Sequence, residues 1–304
     1  MSGPALKPRE LGVLLREASR KALGGGVAGA LAMVVQVLTL MWMRTTINFQ
    51  HAKGLSTGEA MTALYAQGGL PRFYQGIWAA LLQAPISRFG DTASNAGMLA
   101  VLAGSSLSPG SKTFAASCAA ALFRILITPI DTFKTTMQVQ GSSGLALLSE
   151  RISREGVLTL YAGALGASLA TLVGHYPWFV TFNFLEGKVP PASQSPYKQM
   201  RRALIGFMSS MTSDVVSNSV RVVKTTKQTH PDSPTYLSTI SLIIKQDGLE
   251  GLFLRGLSTK IVSNGISAML FTVLWRYFEE KITAYQKRRH AAEACNEDKE
   301  DKEE

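Results

Sequence analysis

Pro129-Ile130-Asp131-Thr132-Phe133-Lys134-Thr135-Thr136-Met137-Gln138 is the middle of three copies of one pattern. Ninety residues earlier the chain reads Thr39-Leu40-Met41-Trp42-Met43-Arg44-Thr45-Thr46-Ile47-Asn48, and ninety later Ser219-Val220-Arg221-Val222-Val223-Lys224-Thr225-Thr226-Lys227-Gln228. A second pattern follows each copy: Gly69, Tyr74 and Gly76; Glu155-Gly156, Tyr161 and Gly163; Asp247-Gly248, Phe253 and Gly256, with one extra residue in the third. A fixed period of this length reads as one structural unit repeated, and it outranks local propensity as a guide to architecture.

Composition leaves two classes open. The chain has 304 residues, 46% of them hydrophobic, which suits one or two soluble domains or a compact membrane bundle. Gly24 to Met43 favours the membrane, because only Gln36 and Thr39 are notably polar in a run long enough to cross a hydrocarbon core of about 30 Å. A buried helix of a soluble protein is the alternative. Later segments carry Arg88, Asp91 and His175, and in a membrane such residues face the protein interior or a wet cavity. The net charge of +10 comes from basic residues scattered among apolar helices, so nucleic-acid binding is not expected. Cys118, in an apolar helix, and Cys295, in a polar tail, make neither a disulfide framework nor a metal-ligand spacing. No nucleophile–base pair, metal cluster or phosphate loop stands out, so no catalytic residue, metal or cofactor is expected.

Lys7, Arg9, Arg16 and Arg20 are interrupted by Glu10 and Glu17, and Pro4 and Pro8 break helix, which favours a retained terminus over a cleaved transit peptide. Glu293 to Glu304 is a run of Asp, Glu and Lys without an apolar anchor, expected to be solvated and disordered. Between these ends each repeat reads as a long helix, a polar connection with a short helix, and a second long helix. The expected long helices cover 21–50, 76–103, 112–141, 163–188, 197–230 and 256–287, with short ones at 56–67, 144–154 and 235–246. The organisation is then a segment 1–20, repeats at 21–108, 109–195 and 196–288, and a tail 289–304. Pro109-Gly110 and Pro190-Pro191 fall between repeats, where turn residues belong. Gly25 with Gly29, Ala115 with Ala119, and Gly206 with Ser210 offer small residues for close helix contact in lipid. Thr39 and Ser219 stand where the middle copy has Pro129, and their hydroxyls bend a helix more gently than proline does. Loop charges nearly balance and give no orientation.

These motifs resemble the repeat of the mitochondrial carrier family: Pro-x-Asp/Glu-x-x-Lys/Arg, then an acidic residue with Gly, then aromatic, base and Gly. The resemblance covers roughly residues 20–285, and only the middle copy has the first motif whole. It implies an all-α membrane protein with six transmembrane helices in three tandem repeats. These would form a pseudo-threefold barrel with short matrix-side helices. The protein would be monomeric and multi-pass in the inner mitochondrial membrane, with its termini in the intermembrane space.

An acid and a base three residues apart share a helical face, and the resemblance implies a matrix gate in which the acid of one odd-numbered helix meets the base of the next. The base positions are Arg44, Lys134 and Lys224; the acid positions are Met41, Asp131 and Arg221. One carboxylate among four cations should close weakly or need an anion to complete it, since a single exposed salt bridge contributes only ~0–1 kcal/mol. Restoring acids at 41 and 221 is therefore expected to alter stability or transport. Solvated helix-end charges without a gate role are the alternative. Asn48, Gln138 and Gln228 match the family's amide brace, each able to donate and accept at once. On the opposite side, where the family has an aromatic, an acid and a base, the chain offers Phe182-Asn183 with Glu186, Trp275-Arg276 with Glu279, and only Asn95 and Ala96. A strong ionic lock is not expected there.

The family's substrate contacts lie seven or eight residues past the glycine opening each even-numbered helix: here Gln83 and Ala84, Ala170 and Thr171, Ser263 and Asn264. Arg88 and His175 sit about one turn further on, Arg88 either meeting an anionic solute or pairing with Asp91, His175 either lining the cavity or packing. Gln83, Arg88, Thr171, His175, Ser263 and Asn264 are the candidate substrate-binding residues. In the family, carriers of simple carboxylates and amino acids usually show an arginine at the contact positions of the fourth helix; none stands there, so the resemblance argues against those solutes and leaves a nucleotide or coenzyme-like solute open. Gly76, Gly163 and Gly256 open helices whose free amides attract phosphate; in the family such sites hold cardiolipin, and Arg255 is the one base kept beside them. The resemblance thus implies transport of a small anionic metabolite by alternating access. The alternative is a carrier-derived scaffold or membrane insertion module that has lost transport, with a funnel plugged by Trp42, Trp178 or a partner chain.

Overall fold

A computed structural model describes the backbone of residues 8–102, 105–191, 195–232 and 234–300. The side chains of Gly25, Gly29, Arg88, Asn95, Ala96, Trp275, Arg276, Glu279 and Cys295 lie outside the described residues. Every regular element among the described residues is helical: α1 (Pro8–Lys53), α2 (Thr57–Ala66), α3 (Gly69–Arg72), α4 (Ile77–Val101), α5 (Pro109–Gln140), α6 (Gly144–Glu155), α7 (Ala164–Lys188), α8 (Ser195–Thr229), α9 (Tyr236–Leu254) and α10 (Leu257–Glu300). Two stretches, Gly110–Glu155 and Val157–Lys188, are long and apolar enough to cross a membrane by length and composition.

By compactness the chain divides into Val37–Ala268 and a second unit of Met1–Gln36 with Met269–Glu304. All contacts described below belong to the first. The second holds the early part of α1 and the later part of α10, and both helices are longer than their sequence patterns suggest. Pro8 is the first residue of α1, where its missing N–H is no loss. The charged tail continues α10 as helix to Glu300, in keeping with the helix propensity of its alanines, glutamates and lysines.

Local chemistry sets the helix starts. Ser56 caps α2 in a reciprocal box with Glu59, Ser108 accepts from the Ser111 amide ahead of Pro109, and Thr235 accepts from the Ser238 amide. Helices α4 and α5 pack together, as do α5 with α7, α7 with α8, and α8 with α9. The small-residue contacts fall one position from where spacing placed them: Ala116 and Ala120 are buried on α5, whereas Ala115 and Ala119 are half-buried. Gly206 faces open space, and the approach of α8 to α7 is made by Ser213, whose hydroxyl donates to the Gly174 carbonyl at 2.8 Å.

Gly76, Gly163 and Gly256 precede α4, α7 and α10 with φ of +85°, +89° and +65°. Each abuts a helix from another repeat: Gly76 the Lys134 carbonyl on α5, Gly163 the Gln228 side chain on α8, and Gly256 His51 on α1. A methyl at 163 would lie 2.6 Å from Gln228 Cγ. Left-handed backbone strains a residue bearing Cβ by about 1–3 kcal/mol, so Gly163→Ala is expected to lose at least that much, read as a lower thermal unfolding midpoint. An unchanged midpoint would show that α7 and α8 separate freely at this point.

Candidate functional site

Asp131 gathers the sequence-predicted matrix gate, with only 7% of the residue exposed. Its carboxylate accepts from Lys134 Nζ one turn along α5 at 3.0 Å, from Gln83 Nε2 on α4 at 2.6 Å, and from Lys224 Nζ on α8. Gln83 Oε1 in turn accepts from Lys134. One carboxylate thus holds two lysines and an amide from three helices, and Gln83 belongs to this network, two turns of helix short of Asp91. Arg44 meets no carboxylate among the described residues. Arg221 donates from Nε to Ser217 Oγ at 3.2 Å and lies within electrostatic reach of Asp214, Arg124, Asp131 and Asp91, so the expected unrelieved repulsion is tempered by carboxylates from α4 and α8. Met41 is fully buried with Val37 and Ala80, against Ile77, Leu81 and Ala84, and its sulfur accepts from Gln138 Nε2 at 3.5 Å. Position 41 is a packing position.

Amides and hydroxyls join the same three helix ends. Asn48 Nδ2 donates to Gln138 Oε1 at 2.6 Å, Gln228 Nε2 to Thr132 Oγ1 at 3.0 Å, and Thr226 Oγ1 to the His51 carbonyl at 3.0 Å, linking α1 to α5, α5 to α8 and α8 to α1. Three buried arginines on the connections then cap the terminal carbonyls. Arg72 donates to the Gln138 and Val139 carbonyls at 2.8 and 2.7 Å, Arg151 to Gln228 at 2.9 Å, and Arg255 to His51 at 3.3 Å. A cation at a helix C-terminus satisfies free carbonyls and complements the helix dipole. Arg255, expected beside lipid, points inward with 5% exposure and pairs with Asp247 at 2.7 Å. Arg72 and Arg151 were not singled out from sequence. An arginine on a connection that must pack under a helix end is the signal that was available.

A second charged layer lies further along the same helices. Arg124 on α5 pairs with Asp91 on α4 at 2.6 Å, and Asp214 on α8 pairs with Lys260 at 2.9 Å and accepts from Asn264 Nδ2, both on α10. His175 on α7 is within electrostatic reach of Asp91, Arg124 and Arg221 and edge-on to Phe179. Glycines next in sequence to these residues let the helices close. A Cβ on Gly90 would fall 1.8 Å from Phe123, on Gly174 3.0 Å from Ser213, and on Gly265 2.9 Å from Phe207. Of the candidate substrate residues, His175 and Asn264 come into this layer; Thr171 bonds back to the Ala167 carbonyl at 3.0 Å, and Ser263 is buried. Arg124, Asp214 and Lys260 were missed, although a charge inside an apolar helix is itself the signal.

On the opposite side, Glu186 accepts from Arg201 at 2.7 Å, and Arg201 also donates to the Val189 and Pro190 carbonyls, stapling α7 to α8. Asn183 is exposed. Trp42 packs among Phe49, Ala60 and Leu64, and Trp178 stacks on Phe182 at 5.0 Å. Beside the start of α7 lies an apolar groove of about 330 Å³ lined by Leu165, Leu169, Val220, Tyr236 and Ile240, where the Gly166 amide donates to the Tyr236 hydroxyl at 3.0 Å.

An uncharacterized mitochondrial carrier of Schizosaccharomyces pombe is similar at 25% identity over 167 residues, 55% of this chain and 58% of that one, so the aligned stretch spans little more than half the relative's length. The family model for mitochondrial carrier protein matches residues 105–190 and 195–286. These are the second and third copies of the ninety-residue pattern; the first, with Thr39 and Met41 in place of proline and acid, falls outside the match. Since the matched segments make up more than half of its length, the chain belongs to the mitochondrial carrier family.

Proposed function

We propose that this protein is a secondary transporter of the inner mitochondrial membrane that moves a small anionic metabolite by alternating access. Six spans in three pseudo-threefold repeats, the residues 21–288 of the sequence reading, expose one central site to either side in turn, and no chemistry is done on the solute. The observation that carries this reading is the charge inside the helices: among the described residues Arg124, Arg221 and Lys260 share one layer with Asp91 and Asp214, above the Asp131 network. Intramembrane charge is costly unless it serves a pathway, and an excess of cations suits an anion. The Asp131–Lys134–Lys224–Gln83 network is the closed matrix gate in this reading, and a solute bound best by the intermediate lowers the barrier between the two closed states.

The monomer is the transport unit. Cardiolipin occupies the groove beside Gly163, with acyl chains along Leu165 and Leu169 and the headgroup at the start of α7; similar sites by Gly76 and Gly256 rely on backbone amides, because Arg255 is engaged internally. Asn183 and Glu186 with Arg276 and Glu279 make the weaker opposite gate.

Reconstitution in liposomes tests the reading. Protein preloaded with a mitochondrial extract of anionic metabolites should exchange labelled solute at rates well above protein-free vesicles, and Lys224→Gln should lower the exchange at least about tenfold, the rate change expected from some 1.4 kcal/mol. A second reading, the non-transporting scaffold, draws on Met41 and Arg221 at two of three acid positions. Folded protein that exchanges no anion would favour it.

A further inference from the structure

Gln83 ties the first repeat to the second where position 41 lacks its acid: we infer that it is the positioning residue that holds this seam of the matrix gate shut, and that its lack of charge keeps the seam releasable. The inference rests on the transport reading and concerns the gate of that reading. Gln83 is buried, and both ends of its amide are engaged by α5. Its Nε2 donates to Asp131 Oδ1 at 2.6 Å, and its Oε1 accepts from Lys134 Nζ. Charge fixes that orientation, since the amide turns its oxygen to the ammonium and its NH2 to the carboxylate. Among the described residues Gln83 is the one side chain of α4 bonded to this network.

Glycines bring α4 onto α5 on either side of it. Gly76, just before α4, Gln83 and Gly90 follow one another at intervals of seven residues, about two turns of helix, and so share one face. A Cβ on Gly76 would fall 3.0 Å from the Lys134 carbonyl, and one on Gly90 1.8 Å from Phe123. The two backbones therefore run close at both ends of the stretch, and Gln83 is delivered to Asp131 between them.

The seams between repeats are unequal. The second and third meet through the Asp131–Lys224 ion pair. Between the third and first both gate positions are cationic, Arg221 and Arg44, and Thr226 and Arg255 link the two repeats by donating to the His51 carbonyl. Between the first and second the repeat pattern calls for an acid at 41 against Lys134, and the Gln83 carbonyl takes that place on Lys134 from α4 instead of α1. A neutral acceptor holds an ammonium by a hydrogen bond roughly half as strong as a carboxylate's. Lys134 and Lys224 thus share Asp131, with Arg44 in electrostatic reach of Lys134. A carboxylate at 83 would give Lys134 a partner of its own and leave Asp131 to Lys224, closing the seam more firmly and making it slower to open.

Two substitutions in the purified full-length protein test this, read by thermal unfolding and by liposome exchange. Labelled malate, citrate, phosphate, glutamate and ATP serve as exchange probes, and rates are compared for those that the unaltered protein moves. Gln83→Glu should raise the unfolding midpoint by about 2 °C or more. It should also slow exchange at least about tenfold, with a half-saturating concentration no higher than the unaltered protein's, because the step slowed is release of the gate and not capture of solute. Gln83→Leu, close in volume and able to make neither bond, should lower the midpoint by about 2 °C or more. A side chain that only fills space gives the reverse order, with Gln83→Leu tolerated and Gln83→Glu destabilised. That order, an unchanged midpoint for Gln83→Leu, or a Gln83→Glu protein that does not fold overturns the inference. Gln83→Glu exchanging as fast as its parent sinks it and leaves transport standing, whereas absence of exchange for every probe in the unaltered protein removes the transport reading and the gating role together.

Discussion

Asp131→Asn should lower the unfolding free energy by about 3–5 kcal/mol, the usual cost of removing one partner from a buried ion pair. The substitution keeps the shape of the side chain and an oxygen for Gln83 Nε2, so lost packing is not the cause. It removes the counter-charge that, among the described residues, is bonded to both Lys134 and Lys224, whose side chains are 18% and 16% exposed. Two cations are then left close together in a poorly solvated site. Chemical or thermal unfolding of detergent-solubilised protein measures the loss. Adding Lys224→Met to Asp131→Asn should recover part of the stability, because the stranded charge is gone, and the two effects should be far from additive. Purely additive losses would mean that the Asp131–Lys224 contact contributes little.

Met41→Asp is expected to be equally harmful, at about 3–5 kcal/mol, although it rebuilds the family's acidic position. From sequence the change looks like a repair. In the structure the side chain is fully buried among Val37, Ala80, Leu81 and Ala84, and Lys134, its nominal partner, is engaged by Asp131 and Gln83. A carboxylate there loses its hydration without gaining a cation. Met41→Leu, which keeps volume and polarity, should cost less than about 1.5 kcal/mol. Unfolding midpoints of the two variants decide the matter. A Met41→Asp protein as stable as its parent would show that Arg44 or Lys134 turns to meet the new acid and that the ring of three pairs is latent here.

The ends of α4, α5, α7 and α8 were legible to within three residues because each is bounded by a turn signal or a glycine. Asp131, Lys134 and Lys224 were legible as a unit because the ninety-residue period placed them in register. Asp91, Arg124, Asp214 and Lys260 were not, for a physical reason. Their pairings join helices whose crossing depends on Gly90 against Phe123 and Gly265 against Phe207, and nothing along one strand of sequence says which faces of two helices meet. Arg255 shows the same limit: its neighbours Phe253 and Gly256 suggest a lipid-facing base, yet the fold turns it inward to the Asp247 carboxylate and the His51 carbonyl.

By itself the chain's order of residues determined the period, the helical class, the family and which helix ends carry base and amide, since each depends on spacing along one backbone. Tertiary structure alone decided which charges find partners: that one aspartate serves two lysines and a glutamine, that Met41 is core, and that Arg124 reaches Asp91. Ion pairing depends on distance and dehydration across helices, and both are set only when the helices have packed.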